Sequence, residues 1–402
     1  NLELAPLLFE GLTALDVQWT PQLALASSIS RDDPLHPVVT LRGDAVFSDG
    51  SPVTASDVAA SFSSAKSSAN YKVLLANITG ASASGDTVTF TLAGPDPNFE
   101  ACLSFPVLKS GGGDQPIGSG PYMLADNPER LVRNQYKTDK GIETIQLRHM
   151  TDDDTMLYSL ESGAISFYYN DLSGGEIPRI SNANISVPIN YLTFIGIRSQ
   201  NRDLSDKLVR QALSAALNRT VITESAFANR AQAAITPFHP IWKPAAELKG
   251  FSAGENLAVA VAQLEQAGYN TESGDSTGGK TLSLSLLYCG GNSFRQATAQ
   301  LLKQQLARAG VTLELVDVSY DEYLKKLEKN EYDLYLGDIR LSANMSLSPF
   351  FGGAASYGID SGGVAAAAYG QYLSGEITLQ EFCNVFTEDV PFIPLCFRKG
   401  IV

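Results

Sequence analysis

The sequence predicts an α/β protein of more than one domain, and three observations support that prediction. The chain has 402 residues, which is too long for one ordinary hydrophobic core. Apolar residues make up 44% and charged residues 18%, a composition typical of folded globular proteins. Segments with the period of a strand alternate along the chain with segments that have the period of a helix. We therefore expect two or three domains.

The first clear element is a turn followed by a helix in the stretch FSDGSPVTASDVAASF, residues 47–62. The Asp-Gly pair predicts a tight turn with positive φ at the glycine. Thr54 predicts the N-cap of the helix, and Asp57 stands where a capping box usually has Glu or Gln. Helical spacing brings Val58 and Phe62 to one face, so that both can enter a core.

Later elements follow from periodicity. Alternation predicts a strand in DTVTFTLAG (86–94), and apolar helical spacing predicts one long helix in SDKLVRQALSAALNRTVI (205–222), capped by its first serine. A further helix is predicted in FRQATAQLLKQQLARAG (294–310). Strands are predicted in VTLELVDV (311–318) and in YDLYLGDI (332–339). This strand, helix and strand order indicates an α/β lobe.

Charge and motif content exclude several functions. The formal net charge is −14, which argues against a nucleic-acid partner, because phosphate neutralisation needs clustered Lys and Arg. Runs of apolar residues are too short to span a membrane. The motifs HExxH, GxSxG and GxxxxGK[ST] are absent. We expect no catalytic residue, no cofactor and no metal site.

The metal-binding and thiol residue types are scattered, without ligand spacing. They are His36, His149, His239, Cys102, Cys289, Cys383 and Cys396. Free buried thiols are the favoured interpretation of the cysteines, and a disulfide stays open at this point.

Eight short motifs, in order along nearly the whole chain, resemble family 5 of the extracellular solute-binding proteins, the peptide- and nickel-binding receptors of ABC importers. The stretch from Phe47 is similar to the family signature F-x-D-G-x-P-x-T-A-x-D-V. The other matches are LFEGL at 8, GSGPY at 118, LESGAISF at 160, VRQALSAALNR at 209, LEQAGY at 264, ARAGVTLEL at 307 and PFIPL at 391. One such motif is a weak signal, and eight in order are a specific one.

The resemblance implies a two-lobed periplasmic-binding-protein-like fold (type II, cluster C) with an extra small middle domain. Lobe I is expected to combine 1–25, 113–190 and 391–402, with the middle domain at 26–112 and lobe II at 191–390. The ligand is expected between the lobes. The leading hypothesis is a monomeric receptor that binds a short peptide and delivers it to the ABC permease subunits.

Three alternatives stay open. The receptor can bind a non-peptide solute instead, such as a carboxylate-bearing metabolite or a metal chelate. A cleft hydrolase that cuts peptides or glycans with paired carboxylates belongs to another class. A receptor fold retained for adhesion or signalling, without import, is the third.

The resemblance also implies a location outside the cytoplasm, as a lipoprotein on the outer face of the cytoplasmic membrane or as a periplasmic protein. The first residues, NLELAPLLFEGL, lack a basic segment and a cleavage site. Family members begin with a further short segment before the LFEGL motif. We therefore expect that the chain is trimmed, and that the export signal and any lipid-bearing cysteine precede it.

The first group of candidate ligand-binding residues follows the strand at 332–339. Peptide-binding family members commonly hold the amino group of the ligand with an aspartate in this loop, and this chain lacks it. Asp338 and Arg340 are two apart in a predicted strand and point the same way. Arg340 either binds an anionic group of the ligand or forms a salt bridge to Asp338 or to the other lobe. Asn344 and Ser346 offer hydrogen bonds to a ligand or are ordinary loop residues.

The second group lies in FYYNDLSGG, residues 167–175, which resembles a family loop that approaches the cleft. Aromatic rings there can supply contact area and the polar groups orientation; core packing and turn formation are the alternatives. These candidates are Tyr168, Tyr169, Asn170 and Asp171. Phe194, on the apolar segment at 187–197, is either a pocket floor or packing.

Overall fold

The structure, a computed structural model, describes residues 4–111, 115–138, 141–150, 152–180, 184–271, 280–352, 357, 359 and 362–402. The chain divides into two units. Unit 1 comprises Asn1–Asp153, Ser342–Met345 and Leu373–Gly375, and unit 2 comprises Asp154–Leu341, Ser346–Tyr372 and Glu376–Val402. The predicted division into two lobes and a middle domain stays a prediction, and its boundary at 112 and 113 falls outside the described residues.

Unit 1 consists mainly of antiparallel sheets. In chain order its elements are α1 (Ala5–Leu8), β1 (Thr13–Leu15), β2 (Pro21–Leu23), β3 (Ala26–Ser30), β4 (Val38–Leu41), α2 (Ala55–Ser67), β5 (Ile78–Ser84), β6 (Thr87–Leu92), α3 (Phe99–Cys102), β7 (Tyr122–Leu124), β8 (Arg130–Arg133) and β9 (Thr144–Gln146). A four-stranded sheet has the order β3-β4-β6-β5, and a three-stranded sheet has the order β7-β8-β9. Helix α2 packs on β5 and β6 of the larger sheet.

The opening motif forms the predicted turn and capped helix of unit 1. Thr54 Oγ1 accepts a hydrogen bond from the Asp57 amide, and Asp57 Oδ2 accepts from the Thr54 amide, so the capping box is complete with Asp in the third position. Val58 and Phe62 are 0% and 3% exposed. Gly50 has a φ of 84°, which a side chain disfavours. These predictions are confirmed, and the motif is a scaffold element.

Unit 2 is built on one large sheet flanked by helices. Its elements are α4 (Asp153–Glu161, whose first residue belongs to unit 1), β10 (Ser186–Ile197), α5 (Lys207–Ala215), α6 (Arg219–Ser225), β11 (Ala231–Ala233), α7 (Lys243–Ala246), α8 (Leu257–Gln266), β12 (Leu282–Cys289), α9 (Ser293–Ala307), β13 (Val311–Val318), α10 (Tyr320–Glu328), β14 (Leu334–Arg340), α11 (Ser348–Phe351), α12 (Val364–Ser374, which ends in unit 1), α13 (Leu379–Asp389) and β15 (Phe392–Ile401).

The sheet of unit 2 is mixed, with the strand order β11-β15-β10-β14-β12-β13. Strand β12 runs parallel to β13 and β14, and the other pairs are antiparallel. One face contributes Ile195, Leu286 and Leu334 to a core that includes Leu213 of α5 and Leu302 of α9. The predicted strands at 86–94, 311–318 and 332–339 are confirmed as β6, β13 and β14.

The prediction of one long helix over 205–222 is wrong. The segment forms α5 and α6, which are separated at Ala216–Asn218. Asn218 caps α6 by accepting from the Val221 amide, and its own amide donates to Gln305 Oε1 on α9. The cap of α5 is Asp206 rather than Ser205. Apolar periodicity continues through the break because both helices pack on the same core, so it did not reveal the break.

Two further expectations concern thiols and membranes. All four cysteines have free thiols; Cys102, Cys383 and Cys396 are buried, and Cys289 is half-buried. Within the described ranges, none of the helices combines the length and the apolar content that crossing a bilayer requires.

Candidate ligand-binding site

One face of the unit 2 sheet changes from apolar to charged toward the end of β14. Thr193 of β10 lies opposite Asp338 of β14, and the next pair on this face is Tyr191 opposite Arg340. Directly opposite residues of an antiparallel pair project to the same side of the sheet. The hydrophobic core therefore gives way to a group of polar and charged side chains that the two strands hold in register.

Asp338 is the centre of this group. Its side chain is 1% exposed. Oδ1 accepts a hydrogen bond of 2.6 Å from Thr193 Oγ1 and lies 2.7 Å from Nη2 of Arg398, while Oδ2 accepts one of 2.7 Å from Nε of Arg295. Burial alone raises the pKa of Asp338, but Arg398 and Arg295 outweigh burial and hold this pKa below its ordinary value of 3.8. The carboxylate is therefore ionised at neutral pH.

We call Asp338, Arg295, Arg398, Thr193 and Tyr191 the Asp338 cluster. Its members come from three strands and one helix, since Arg398 lies on β15 and Arg295 is the third residue of α9. Strand β15 is the neighbour of β10, with Cys396 opposite Thr193, which brings Arg398 to the charged end of the sheet. All five residues belong to unit 2.

Arg398 is buried but poorly hydrogen-bonded. The residue is 2% exposed, and the centre of its guanidinium lies 4.6 Å from the ring centroid of Tyr191. Its Nη2 forms the ion pair with Asp338, yet the geometry is not that of a hydrogen bond, and within the described residues neither Nη2 nor Nε has a hydrogen-bond partner. The ring of Tyr191 and the charge of Asp338 are thus the main compensation for this buried cation.

Arg295 is oriented by both its backbone and its side chain. Its amide donates to Oδ1 of Asn292, the N-cap of α9, and its Nε donates to Asp338. The side chain is 24% exposed. Burial alone lowers the pKa of Arg295, but the charge of Asp338 raises it above its ordinary value. The guanidinium is therefore a fixed positive charge that is partly accessible to solvent.

Arg340 does not form the salt bridge to Asp338 that was one of its two predicted roles. Residues two apart in a strand have Cα atoms about 6.6 Å apart, and Asp338 is already bonded to Arg295 and Arg398. Arg340 is exposed, and no ion pair of its side chain occurs with any residue that the structure describes. Its predicted contact with a ligand stays a prediction.

The loop that contains the second candidate group also lies in unit 2. Tyr168 is 4% exposed, and its hydroxyl accepts a hydrogen bond of 2.7 Å from Nδ2 of Asn170. Asn170 Oδ1 accepts from the Leu172 amide, and its backbone pairs with Ile401 of β15. These contacts give Tyr168 and Asn170 structural roles in the loop. A further contact with ligand stays a prediction for both.

Tyr169 and Asp171 of the same loop are half-buried. The ring of Tyr169 packs beside Gly400. Asp171 Oδ1 accepts from the Ser173 amide at 2.9 Å, as in an Asx turn. The charge of Asp171 also contributes to the raised pKa of Tyr191, so the loop lies near the Asp338 cluster.

Asn344 and Ser346 form hydrogen bonds with residues that are not part of the Asp338 cluster. Asn344 belongs to unit 1, is 6% exposed, and donates from Nδ2 to Oδ2 of Asp96 at 3.0 Å. Ser346 is half-buried, and its Oγ donates to Oγ of Ser348 at 3.0 Å. These contacts give both residues structural roles, and their predicted ligand contacts stay predictions.

Phe194 is fully buried on the opposite face of the unit 2 sheet. Its ring makes edge-to-face contacts with four other aromatic rings. They belong to Tyr335, Phe350, Tyr357 and Phe392. The packing alternative describes this residue well, and a role as pocket floor stays a prediction.

Sequence reasoning missed Arg295 and Arg398. Arg398 carried a usable signal, since it directly follows the apolar strand segment FIPLCF and charges in buried strands need a partner. Arg295 carried none, because an arginine in the first turn of an amphipathic helix is ordinary. Its partner Asp338 lies 43 residues away.

Comparison with known proteins identifies the family. The sequence model described as bacterial extracellular solute-binding proteins, family 5 Middle, matches residues 18–358. This chain belongs to that family. The resemblance carried by the eight motifs is confirmed, and the family places the protein among the extracellular solute-binding proteins of bacteria.

Two curated members show how far the similarity extends. Protein XP55 of Streptomyces lividans is 26% identical over 365 residues, which cover 83% of this chain and 66% of that protein. The oligopeptide-binding protein AppA of Bacillus subtilis (strain 168) is 24% identical over 374 residues, which cover 83% of this chain and 68% of AppA. This chain thus spans about two thirds of the length of these curated relatives.

A solved structure supports the same fold. The crystal structure of a nickel ABC transporter from Bacillus halodurans matches with a TM-score of 0.80 and 19% identity, covering 99% of this chain and 90% of that one. Identity at this level shows the fold alone. The predicted α/β fold of a family 5 solute-binding protein is confirmed.

Proposed function

We propose that this protein is the solute-binding component of an ABC importer, and that it binds a short peptide and delivers it to permease subunits in the membrane. The observation that carries the proposal is the family match over residues 18–358. The oligopeptide-binding relative AppA favours a peptide among the solutes that such a protein takes. A peptide suits a family receptor because its backbone offers hydrogen bonds that do not depend on sequence.

The charged end of the unit 2 sheet is the proposed contact surface for the ligand. Arg340 is exposed beside Tyr191, and an arginine fork suits a carboxylate. Tyr169 and Asp171 are the loop residues that keep exposed area near this surface. Asp338 acts indirectly, by orienting its two arginine partners. Tyr168, Asn170, Ser346 and Phe194 of unit 2, and Asn344 of unit 1, stay proposed ligand contacts beside the structural contacts that each of them makes.

The first test is identification of the solute that the protein carries as purified. Native mass spectrometry measures the mass of the folded protein with its ligand, and denaturation then releases the ligand for sequencing. We expect a mixture of short peptides. If the protein is purified empty, a thermal-shift screen of peptides and metabolites replaces this step, and stabilisation by peptides alone is the expected result. Stabilisation by metabolites and by no peptide contradicts the proposal.

A second candidate function is the transport of a non-peptide anion, either a carboxylate-bearing metabolite or a metal chelate. The arginine-rich end of the sheet favours this alternative, because guanidiniums suit anionic groups. A single released mass without amide bonds, together with a metal signal in elemental analysis, supports the chelate. A released peptide mixture without metal excludes it.

We also propose that the protein performs no chemistry on its ligand. Family membership supports a role in binding and transport. The alternative, a hydrolase, predicts that peptides are cut during long incubation. Mass spectrometry of a peptide pool incubated with the protein distinguishes the two, and a pool that stays intact supports the receptor.

The proposed location is the outer face of the cytoplasmic membrane, with a lipid anchor, or the periplasm. The family supports a location outside the cytoplasm, and the lipid anchor is the finer part of the proposal. Fractionation of the native host, followed by metabolic labelling with a fatty acid, tests it. Size-exclusion chromatography with light scattering tests the predicted monomer.

A further inference from the structure

The Asp338 cluster and its neighbour Arg340 carry more positive than negative charge. Asp338 is shared by Arg295 and Arg398, which lie 2.7 Å from its two carboxylate oxygens. Arg340 adds another positive charge on the same face, opposite Tyr191. One buried carboxylate therefore stands against three guanidiniums and leaves two positive charges uncompensated within this group. Because unbalanced charge in a poorly solvated place is costly, the surface is suited to a further anion.

Arg295 presents a complete hydrogen-bonding fork to that anion. A guanidinium can bind a carboxylate either through Nε and one Nη atom or through both Nη atoms. Its Nε is occupied by Asp338, and the Nη atoms have no hydrogen-bond partner in the described part of the chain. The side chain is 24% exposed. Asp338 thus fixes the arginine through Nε, and the two Nη atoms remain as donors on a side chain that is partly accessible to solvent.

Arg398 is an independent sign that this surface suits an anion. It is 2% exposed, and among described residues its Nε and Nη2 have no hydrogen-bond partner. Buried guanidiniums normally use their donors, because an unmade hydrogen bond costs the desolvation of the donor. The ion pair with Asp338 supplies charge but not hydrogen bonds. A bound anion adds the negative charge that this cation shares with Arg295.

Tyr191 completes the donor set. Its ring lies over the guanidinium of Arg398, with 4.6 Å between their centres. Burial raises the pKa of Tyr191, although the two arginines oppose this, so the phenol stays protonated at neutral pH. A cation under the ring strengthens the hydroxyl as a donor. No partner of this hydroxyl is found within the ranges that the structure describes.

Asp171 is the acidic group that could occupy this surface instead. It is near enough to influence the pKa of Tyr191, but its Oδ1 accepts the Ser173 amide, and no ion pair joins it to an arginine among the described residues. Its negative charge repels a second carboxylate. The anion is therefore expected beside Arg295 and Arg340 rather than beside Asp171.

We infer that Arg295, Arg340 and Tyr191 form a carboxylate-binding subsite, in which Asp338 is a buried positioning residue and Arg398 adds charge from beneath. The group it takes is the free C-terminal carboxylate of the ligand. This inference rests on the proposed peptide-binding function, because every unmodified peptide has this group whatever its sequence. A planar carboxylate also matches the parallel donors of Arg295 better than a hydroxyl or an amide does.

The test uses two pools of short synthetic peptides without Asp or Glu, one with free C-termini and one with C-terminal amides. Titration calorimetry measures the affinity of the wild-type protein for each pool. We expect amidation to weaken binding about tenfold to a hundredfold, as expected for lost charge-assisted hydrogen bonds. Equal affinity for both pools overturns the inference while leaving peptide binding intact.

Arg295→Gln tests the residue assignment. We expect this variant to bind free-acid peptides about tenfold or more weakly and to lose most of its discrimination against amides. The matched control is Lys303→Gln, which removes an exposed charge from the same helix, α9. The control is expected to stay within about twofold of wild type. An Arg295→Gln variant that still discriminates overturns the assignment, provided that its thermal unfolding shows a folded protein.

A third arm separates failure of the subsite from failure of the proposed function. Succinate, a simple dicarboxylate, is titrated into the wild type and into Arg295→Gln in a thermal-shift assay. If neither peptide pool binds but succinate stabilises the wild type and not the variant, the peptide function fails and the carboxylate subsite stands. A further pool of peptides that contain Asp or Glu is titrated in the same way. If this pool binds and the two pools without Asp or Glu do not, the subsite takes a side-chain carboxylate, and the C-terminal assignment is wrong.

Discussion

Two arginines of unit 2, Arg219 and Arg398, are both 2% exposed, yet they are compensated in opposite ways. Arg219 donates from Nε to the Pro394 carbonyl at 2.8 Å, and from Nη1 and Nη2 to the carbonyl and hydroxyl oxygens of Ser214 at 3.1 and 2.8 Å. No carboxylate pairs with it among the described residues. Arg398 has a carboxylate at 2.7 Å but lacks the hydrogen bonds.

The difference distinguishes an arginine with a purely structural role from one that can also bind a ligand. Carbonyl groups satisfy the donors of Arg219 and tie α6 to β15, and burial lowers its pKa only to about 10, so it stays charged at neutral pH. Arg398 has charge compensation without donor satisfaction. A buried arginine whose donors are already hydrogen-bonded, such as Arg219, gains little from a further partner. A buried arginine with unused donors, such as Arg398, is stabilised further by water or by a ligand.

The largest effect is expected when the shared carboxylate is removed. Asp338→Asn keeps the shape but leaves Arg295 and Arg398 without a counter-charge. We expect a loss of about 3–5 kcal/mol in the free energy of unfolding, the range for breaking a buried ion pair. Urea denaturation of the ligand-free protein measures it.

The control for that loss is Glu388→Gln, which opens the exposed ion pair with Lys207. Its expected cost is about 0.5 kcal/mol, because exposed pairs contribute little. A small cost for Asp338→Asn, comparable to the control, contradicts the view that the Asp338 cluster is held together by this carboxylate.

The next effect tests the structural arginine. Arg219→Met removes the donors for the Pro394 and Ser214 oxygens, and it leaves the buried Pro394 carbonyl without this partner. We expect a loss of about 2–4 kcal/mol in the free energy of unfolding. Peptide affinity is expected to stay within about twofold of wild type, since this arginine lies outside the Asp338 cluster. Urea denaturation and calorimetry measure the two quantities.

Arg398→Met is the matched variant and the sharpest test of the comparison. Few hydrogen bonds are lost, and Asp338 keeps Arg295 and Thr193, so we expect a loss of about 1 kcal/mol or less. Peptide affinity is expected to fall several-fold, because the subsite loses positive charge. If both arginine variants lose equal stability and neither loses affinity, the two environments do not differ in the way proposed.

Local sequence patterns predicted some parts of this structure and not others. The capped helix α2, the strand β6 and the strand β14 follow from turn chemistry and two-residue alternation. The fold as a whole followed from eight motifs in order. The break between α5 and α6 did not, because Asn218 acts through Gln305 of another helix.

The candidate site shows the same limit more strongly. Asp338 and Arg340 could be placed on one face from their spacing alone. The partners of Asp338 could not, because Arg295 and Arg398 reach it from α9 and β15, and only the sheet order brings these elements together. Asn344 fitted a ligand contact by residue type, whereas its amide bonds Asp96, which is 248 residues away.

The smallest expected effect is on the pH dependence of stability, to which two buried carboxyls contribute with opposite signs. The pKa of Asp338 is lowered below 3.8 because its two arginines outweigh burial. The folded state therefore binds this proton less readily than the unfolded state, and the stabilisation is complete above the ordinary pKa. It decreases as the pH falls below that value and is lost as the pH falls through the lower pKa of the folded state. Burial raises the pKa of Asp96 in unit 1, so its contribution has the opposite sign and is lost as the pH rises.

Urea denaturation of the wild type, Asp338→Asn and Asp96→Asn at a series of pH values tests both signs. The stability gap between the wild type and Asp338→Asn is expected to narrow as the pH falls below about 4. Relative to Asp96→Asn, the wild type is expected to gain stability over the same fall. A constant gap for Asp338→Asn means that the carboxyl is not held ionised by its arginines. In that case Asp338 does not hold Arg295 and Arg398 through an ionised carboxylate, and its assignment as the positioning residue of the carboxylate subsite is wrong.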